Sequence, residues 1–273
     1  MHHEYYDYNK EQLLSNPKIP MVVMADKPTV FQAIAREMAD FIKAQNAKGD
    51  KTVFICPVGP IGQYPYFVDM VNSEEISLKN CWFINMDEYL DDNKQWISKD
   101  HPLSFRGFMD RTVYSKIRED LNIPEDHRVF PDPNHLDYIP NLIETLGGVD
   151  ICFGGIGING HLAFNEADET KTCQEFKELK TRVLAISPET RAANAIGDFG
   201  GRLEDMPKWC VTIGFNEIYN ARKVRLGIFR DWHRAVARRC GYGEMTASFP
   251  VSMMAEHPDA LIRMTEYVAN LED

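Results

Sequence analysis

The sequence has no apolar run long enough to cross a membrane. Its hydrophobic stretches are strand-sized, well short of the roughly eighteen residues a spanning helix needs. It also lacks any C-x-x-C pair. The six cysteines (Cys56, Cys81, Cys152, Cys173, Cys210, Cys240) stand singly, four of them in or beside apolar runs such as FICPV, NCWFI, DICFG and KWCVTI. Single cysteines in such runs read as small buried hydrophobes in a reducing compartment, not as a disulfide framework or a metal centre. No His/Cys/Asp cluster has metal-ligand spacing, so no metal is expected. Positive charge is in deficit, 30 Lys and Arg against 41 Asp and Glu for a net −11, which argues against nucleic acid or an anionic membrane as partner. The N-terminal MHHEYYDYNKEQLLSNPK has no signal-peptide apolar core, and a cytoplasmic location is expected. His2 and His3 read as part of a polar terminus. No repeat, low-complexity linker or charge block divides the chain, so one domain over residues 21–273 is expected after an N-terminal extension of residues 1–20.

What is present is an alternation. Residues 28–47 put Phe31, Ile34, Met38, Phe41 and Ile42 on one helical face. TVFICPV, residues 52–58, is too short for an independent helix and rich in Val, Phe and Ile, which predicts a buried strand. CWFINMD, HRVFP, VDICFGGI, TRVLAIS, KWCVTIG, VRLGIF and ALIRM predict further strands. HPLSFRGFMDRTVYSKI, YIPNLIETLGG, ETRAANAIG, NEIYNAR, WHRAVARRC and TEYVANL predict the helices. Strands alternating with helices predict an α/β fold: a single domain with a mostly parallel, doubly wound, Rossmann-like sheet and helices on both faces.

Ligands of such sheets bind beyond the C-terminal ends of the strands. Three exits carry glycine or acid on that edge: PVGPIGQYP, MDEYL and GGIGINGHLAFNE. In the last, Gly154, Gly155, Gly157 and Gly160 predict positive φ, close backbone approach to a ligand and free N–H groups. The same loop presents His161 and Glu166, a pair suited to proton transfer near neutral pH; a tight turn around a core histidine fits the same residues. A dinucleotide site fits poorly, because that glycine fingerprint follows a first strand and has an acid about twenty residues on. Asp87 and Glu88 stand where a buried strand turns acidic. A carboxylate there is a candidate general base with a raised pKa if partly desolvated; a helix N-cap or a solvated surface acid fits the same residues.

The segments FINMDEYL, HPLSFRGFM, GGIGINGHLAFNEA, SPETRAAN, MPKWCVTIG and SMMAEHPDA run in order across residues 20–265. Together they resemble the glucosamine-6-phosphate deaminase family, whose fold is shared with the 6-phosphogluconolactonases. HPLSFRGFM and GHLAFNE match the deaminase branch. The resemblance implies an aldose–ketose isomerisation coupled to loss of ammonia from a 2-amino sugar 6-phosphate, without a cofactor. It implies Asp87 as the base moving a proton between C1 and C2, His161 as the group that opens the sugar ring, and Glu166 as the acid supporting it. It implies substrate binding by Gly59, Gly62, Glu88, Gly155, Gly157 and Arg191. The phosphate-contacting lysine of the family falls near His233 and Arg234, of which Arg234 is the better charge match; Arg230 in the same basic run is a second candidate. The expected partner is a small sugar phosphate, and a homo-oligomer is compatible with the resemblance.

Two departures bear on these expectations. Asn159 stands where the family carries an aspartate before the Gly-His pair, and an amide offers no charge to hold an imidazolium. The phosphate loop, close to L-P-T-G-G-T-P in the family, is CPVGPIGQYP here, so Val58 and Ile61 replace hydroxyls and Pro60 removes an N–H. Each charge-assisted donor lost costs about 1.5–3 kcal/mol. Three readings therefore stand: a deaminase of the family's substrate, an isomerase or deaminase of a related sugar without the 6-phosphate, and a non-catalytic sugar-binding regulator.

Overall fold

The computed structural model describes residues 3–271, so His2 lies outside the described residues. The strands in chain order are β1 (Met21–Met24), β2 (Thr52–Cys56), β3 (Cys81–Asn85), β4 (Asp87–Leu90), β5 (Arg128–Val129), β6 (Ile151–Gly154), β7 (Arg182–Ala185), β8 (Trp209–Thr212), β9 (Lys223–Ile228) and β10 (Ala260–Thr265). The α-helices are α1 (Lys10–Ser15), α2 (Lys27–Lys48), α3 (Gln63–Ser73), α4 (Phe105–Met109), α5 (Tyr138–Leu146), α6 (Cys173–Lys177), α7 (Pro188–Asp198), α8 (Phe215–Tyr219), α9 (His233–Tyr242) and α10 (Glu266–Ala269).

Seven strands form one parallel sheet in the order β1-β10-β9-β6-β2-β3-β5. Its central strands are buried along their whole length, TVFIC in β2 and ICFG in β6, as a sheet covered on both faces requires. The two-residue alternation of the strand sorts their side chains between two cores. Val53, Ile55 and Cys152 face one cluster, with Val236 and Ala237 of α9; Phe54, Cys56 and Phe153 face the other, with Ile34, Met38 and Ile42 of α2. The α/β, Rossmann-like expectation holds for this sheet.

The expectation of one sheet does not. β4, β8 and β7 form a separate antiparallel sheet, with Asp87 opposite Thr212 and Arg182 opposite the same residue on the other side. TRVLAIS and KWCVTIG look like parallel-sheet strands by their apolar content, but where they pair depends on contacts far away in sequence. α3 also follows a segment read only as a loop; Pro65 lies in its first turn, where a missing N–H costs nothing. HPLSFRGFMDRTVYSKI breaks into α4 and a π-helical turn, Asp110–Tyr114. Residues before β1 join the core, Leu13 and Ile19 being fully buried in it. Among the described residues no helix is long and apolar enough to cross a membrane.

Candidate active site

The exits of β2, β3, β6 and β9 converge on one cavity of about 570 Å³. Its wall includes the loop Val58 to Gly62, Asp87, Gly155 to Gly157, His161, and Phe229 with Arg230. The sheet order explains the convergence, because β9 and β2 flank β6 and β3 lies next to β2.

Asp87 opens β4 and is 7% exposed. None of the described residues donates a hydrogen bond to its carboxylate. Burial, and then the charge of Glu88, pushes its carboxyl well above the ordinary value of 3.8. Glu88 is the next residue of the same strand and so points to the opposite face. There it is fully buried and accepts from Ser104 Oγ (3.0 Å), the amides of Phe105 (3.0 Å) and Arg106 (2.9 Å), and Arg106 Nε (3.1 Å). Glu88 therefore does not line the cavity, where the resemblance would have placed it. It clamps the start of α4 and sets a negative charge behind Asp87.

The loop after β6 aims an imidazole into the cavity. His161 Nδ1 lies 2.7 Å from Asn159 Oδ1, and Asn159 Nδ2 donates to Glu166 Oε2 at 2.9 Å. An amide oxygen can only accept, so Nδ1 is the nitrogen that carries a proton, and in the neutral imidazole the lone pair falls on Nε2. Glu166 Oε2 also lies 3.4 Å from His161 Nδ1 and accepts from Thr190 Oγ1 (3.1 Å) and Ser187 Oγ (3.2 Å). Burial would raise the Glu166 carboxyl, but its contacts with His161, Asn159 and Thr190 outweigh burial and bring it to about 2. Asn159 and Glu166 stand behind the imidazole rather than on the cavity wall.

The glycines of this loop serve more varied ends than positive φ. Gly160 alone of the four has it, at +81°, and a Cβ there would also strike the Phe249 ring. Gly157 is needed because the His161 ring lies flat against it, where a Cβ would overlap the ring atoms. The N–H groups of Gly157 and Gly160 are spent inside the turn, on the carbonyls of His161 and Gly157. Ala163, which lines the cavity, holds φ at +54°, a strained value for a residue with a side chain.

The far wall is apolar. Phe31 of α2 meets Phe229 edge-on at 5.0 Å, and Val58, Pro60, Ile61 and Trp232 continue the surface. Gly59 and Gly62 lie on this wall, as expected. His233, at the lysine position, reaches the cavity but carries no usable charge. Its Nδ1 accepts from the amides of Phe229 (2.8 Å) and Arg230 (2.7 Å), and Nε2–H donates to Ile156 O (3.0 Å). Burial lowers it to about 3.

Two expected arginines miss the cavity. Arg234 lies on the outer side of α9, donating to the carbonyls of Tyr267 and Leu271 and stacking on the Tyr267 ring. Arg191 donates to the carbonyls of Leu203 (3.2 Å) and Met206 (3.0 Å), holding the loop after α7. Arg230 is the guanidinium on the wall. No sequence motif discloses the aromatic lining or the contacts of Ser187 and Thr190 to Glu166; SPET before the helix signals a helix cap, which Ser187 is, and that signal does not disclose the second partner. A larger groove of about 1220 Å³ runs beside β5 past Trp96, Arg128 and Tyr138, but neither Asp87 nor His161 opens onto it. The two candidate proton-transfer groups, Asp87 and His161, therefore meet only in the smaller cavity. Among the described residues no three His, Cys, Asp or Glu side chains converge as metal ligands.

The chain is similar to curated glucosamine-6-phosphate deaminases. That of Thermoanaerobacter pseudethanolicus is 29% identical over 246 residues, 88% of this chain and 92% of the relative. That of Clostridium perfringens is 27% identical over 256 residues, covering 92% and 98%. The solved structure of a monomeric glucosamine-6-phosphate deaminase superposes with a TM-score of 0.80 at 24% identity, covering 93% of this chain and all of that one. The 6-phosphogluconolactonase of Trypanosoma brucei superposes with a TM-score of 0.63 at 15% identity, covering 93% and 98%. The structures share the fold, and the sequence resemblance holds along nearly the whole chain. No family model matches.

Proposed function

We propose that this protein isomerises and deaminates glucosamine 6-phosphate, giving fructose 6-phosphate and ammonia. The observation that carries the reading is a buried carboxylate and an imidazole Nε2 on the wall of one cavity, neither hydrogen-bonded to any described residue. Similarity to deaminases over 88% of the chain supplies the substrate class, and it favours neither a sugar without the phosphate nor a silent sensor.

The chemistry follows from the two groups. Nε2 of His161 accepts the proton of the anomeric hydroxyl and passes it to the ring oxygen, so the C1–O5 bond breaks and an aldose remains. Asp87 as carboxylate then takes the proton from C2 while the substrate's ammonium gives one to the C1 oxygen, leaving a neutral enolamine. Return of the Asp87 proton to C1 leaves an iminium at C2 and restores the carboxylate. Water adds there and the nitrogen departs as ammonium, leaving the ketose. Burial raises the affinity of Asp87 for the proton it must carry between carbons. Asn159 orients the imidazole without charge, and Glu166 holds Asn159 in turn.

An assay coupling ammonia release to fructose 6-phosphate tests the reading on the full chain. Equal amounts of the two products are expected, with Asp87→Asn lowering kcat by about 10²–10⁴. Wild-type turnover no higher than that of the variant would refute it.

A further inference from the structure

We infer that Arg230 is the residue that grips the substrate's phosphate, and that Asp198 is the counter-ion it gives up to do so. The inference rests on the proposed phosphorylated substrate and names the group that recognises it.

The β2 loop cannot supply the usual donors: Val58 and Ile61 have no hydroxyl and Pro60 has no N–H. His233 is neutral, and both its ring nitrogens are engaged. A phosphate dianion in an apolar enclosure without a cation is costly. Among the described residues lining the cavity, Arg230 is the one lysine or arginine; Lys27 Nζ stands 5.8 Å from the Phe229 ring centroid but is not part of the wall.

Its position suits the task. Arg230 follows β9 beside Phe229, whose ring contacts Phe31; a Cβ on Gly62 would strike that same Phe31 ring. Gly62 precedes the first turn of α3, so the positive end of that eleven-residue helix faces the same corner. Arg230 Nη2 donates to Asp198 Oδ1 at 3.0 Å, and its Nη1 lies against the backbone of Gly197, where a Cβ would overlap it. The pair is half exposed, its side chains 35% and 51% accessible, so the attraction holding it is weak. A phosphate offers the fork of the guanidinium two oxygens and twice the charge of a carboxylate. Exchange of Asp198 for phosphate is therefore favourable, and it frees the end of α7 that the pair holds.

The test uses the full-length protein with Arg230→Met, Arg230→Lys and Asp198→Asn. For glucosamine 6-phosphate, Arg230→Met is expected to raise KM about 10- to 100-fold with kcat changed less than about threefold, the loss typical of one charge-assisted contact. Arg230→Lys should fall between it and wild type, and Asp198→Asn should lower KM. Competitive inhibition by inorganic phosphate should weaken in parallel, whereas KM for unphosphorylated glucosamine should not change. An unaltered KM and phosphate inhibition in folded Arg230→Met would overturn the inference while leaving the proposed reaction intact. If wild type turns over no glucosamine 6-phosphate, the functional reading fails instead, and the thermal shift given by inorganic phosphate decides about Arg230. A shift lost in the variant supports the inference; no shift in wild type, or one retained in the variant, overturns it.

Discussion

At the scale of the residue, two acids in one site are pushed in opposite directions. Asp87 binds a proton more tightly in the folded chain than in the unfolded one, so its ionisation removes stability as pH rises above 3.8. Asp87→Asn should therefore raise the melting temperature at pH 7 while lowering kcat by the same factor of about 10²–10⁴, and kcat of wild type should fall on the acid side with a midpoint above the usual carboxylate range. Calorimetry and a pH–rate profile check both halves. Glu166 has the reverse sign. Its carboxyl lies at about 2 rather than 4.5, so its contribution is fully present above 4.5 and is lost as pH falls toward 2. At 1.36 kcal/mol per unit this is at most about 3–4 kcal/mol. Glu166→Gln should lower the melting temperature at pH 7, and the gap to wild type should narrow below pH 4.5 and close only as pH falls through about 2.

At the scale of the element, the neighbouring positions 87 and 88 show why an acidic strand exit is ambiguous. The strand sends one side chain to the cavity and the other to α4, and only pairing with β8 decides which. Glu88 then performs two tasks, capping α4 and raising the proton affinity of Asp87. Glu88→Gln leaves Arg106 without its ionic partner, a change that costs about 3–5 kcal/mol in a buried pair. It should also move the acid limb of the pH–rate profile to lower pH, which loss of α4 alone would not do. Denaturant melts and the profile together check this. The arginines carry the same lesson for helices. Within α9, His233 turns inward and Arg234 outward; Arg230 precedes the helix and reaches the cavity.

At the scale of the whole molecule, a buried arginine fastens both ends of the described chain to the body. Arg238 of α9 is fully buried and donates to the carbonyls of Tyr8 (2.8 Å), Arg234 (2.9 Å), Val268 (3.3 Å) and Ala269 (2.9 Å). Arg238→Ala strands several buried acceptors, each worth about 1–3 kcal/mol. The expected outcome is a melting temperature lower by about 5–10 °C, with the transition still single by circular dichroism.

The strand–helix alternation, the glycine loop carrying His161 and the acid after β3 were legible in the sequence because they are local. Two-residue and 3.6-residue periods and the backbone freedom of glycine act over a few positions, whatever the rest of the chain does. The second sheet, the choice of Asp87 over Glu88, the inward turn of His233 and the place of Arg230 on the cavity wall belong to the tertiary structure. Each depends on which distant segment buries a given face. β8 selects the acid, and α7 brings Asp198 to the arginine. No local period encodes that.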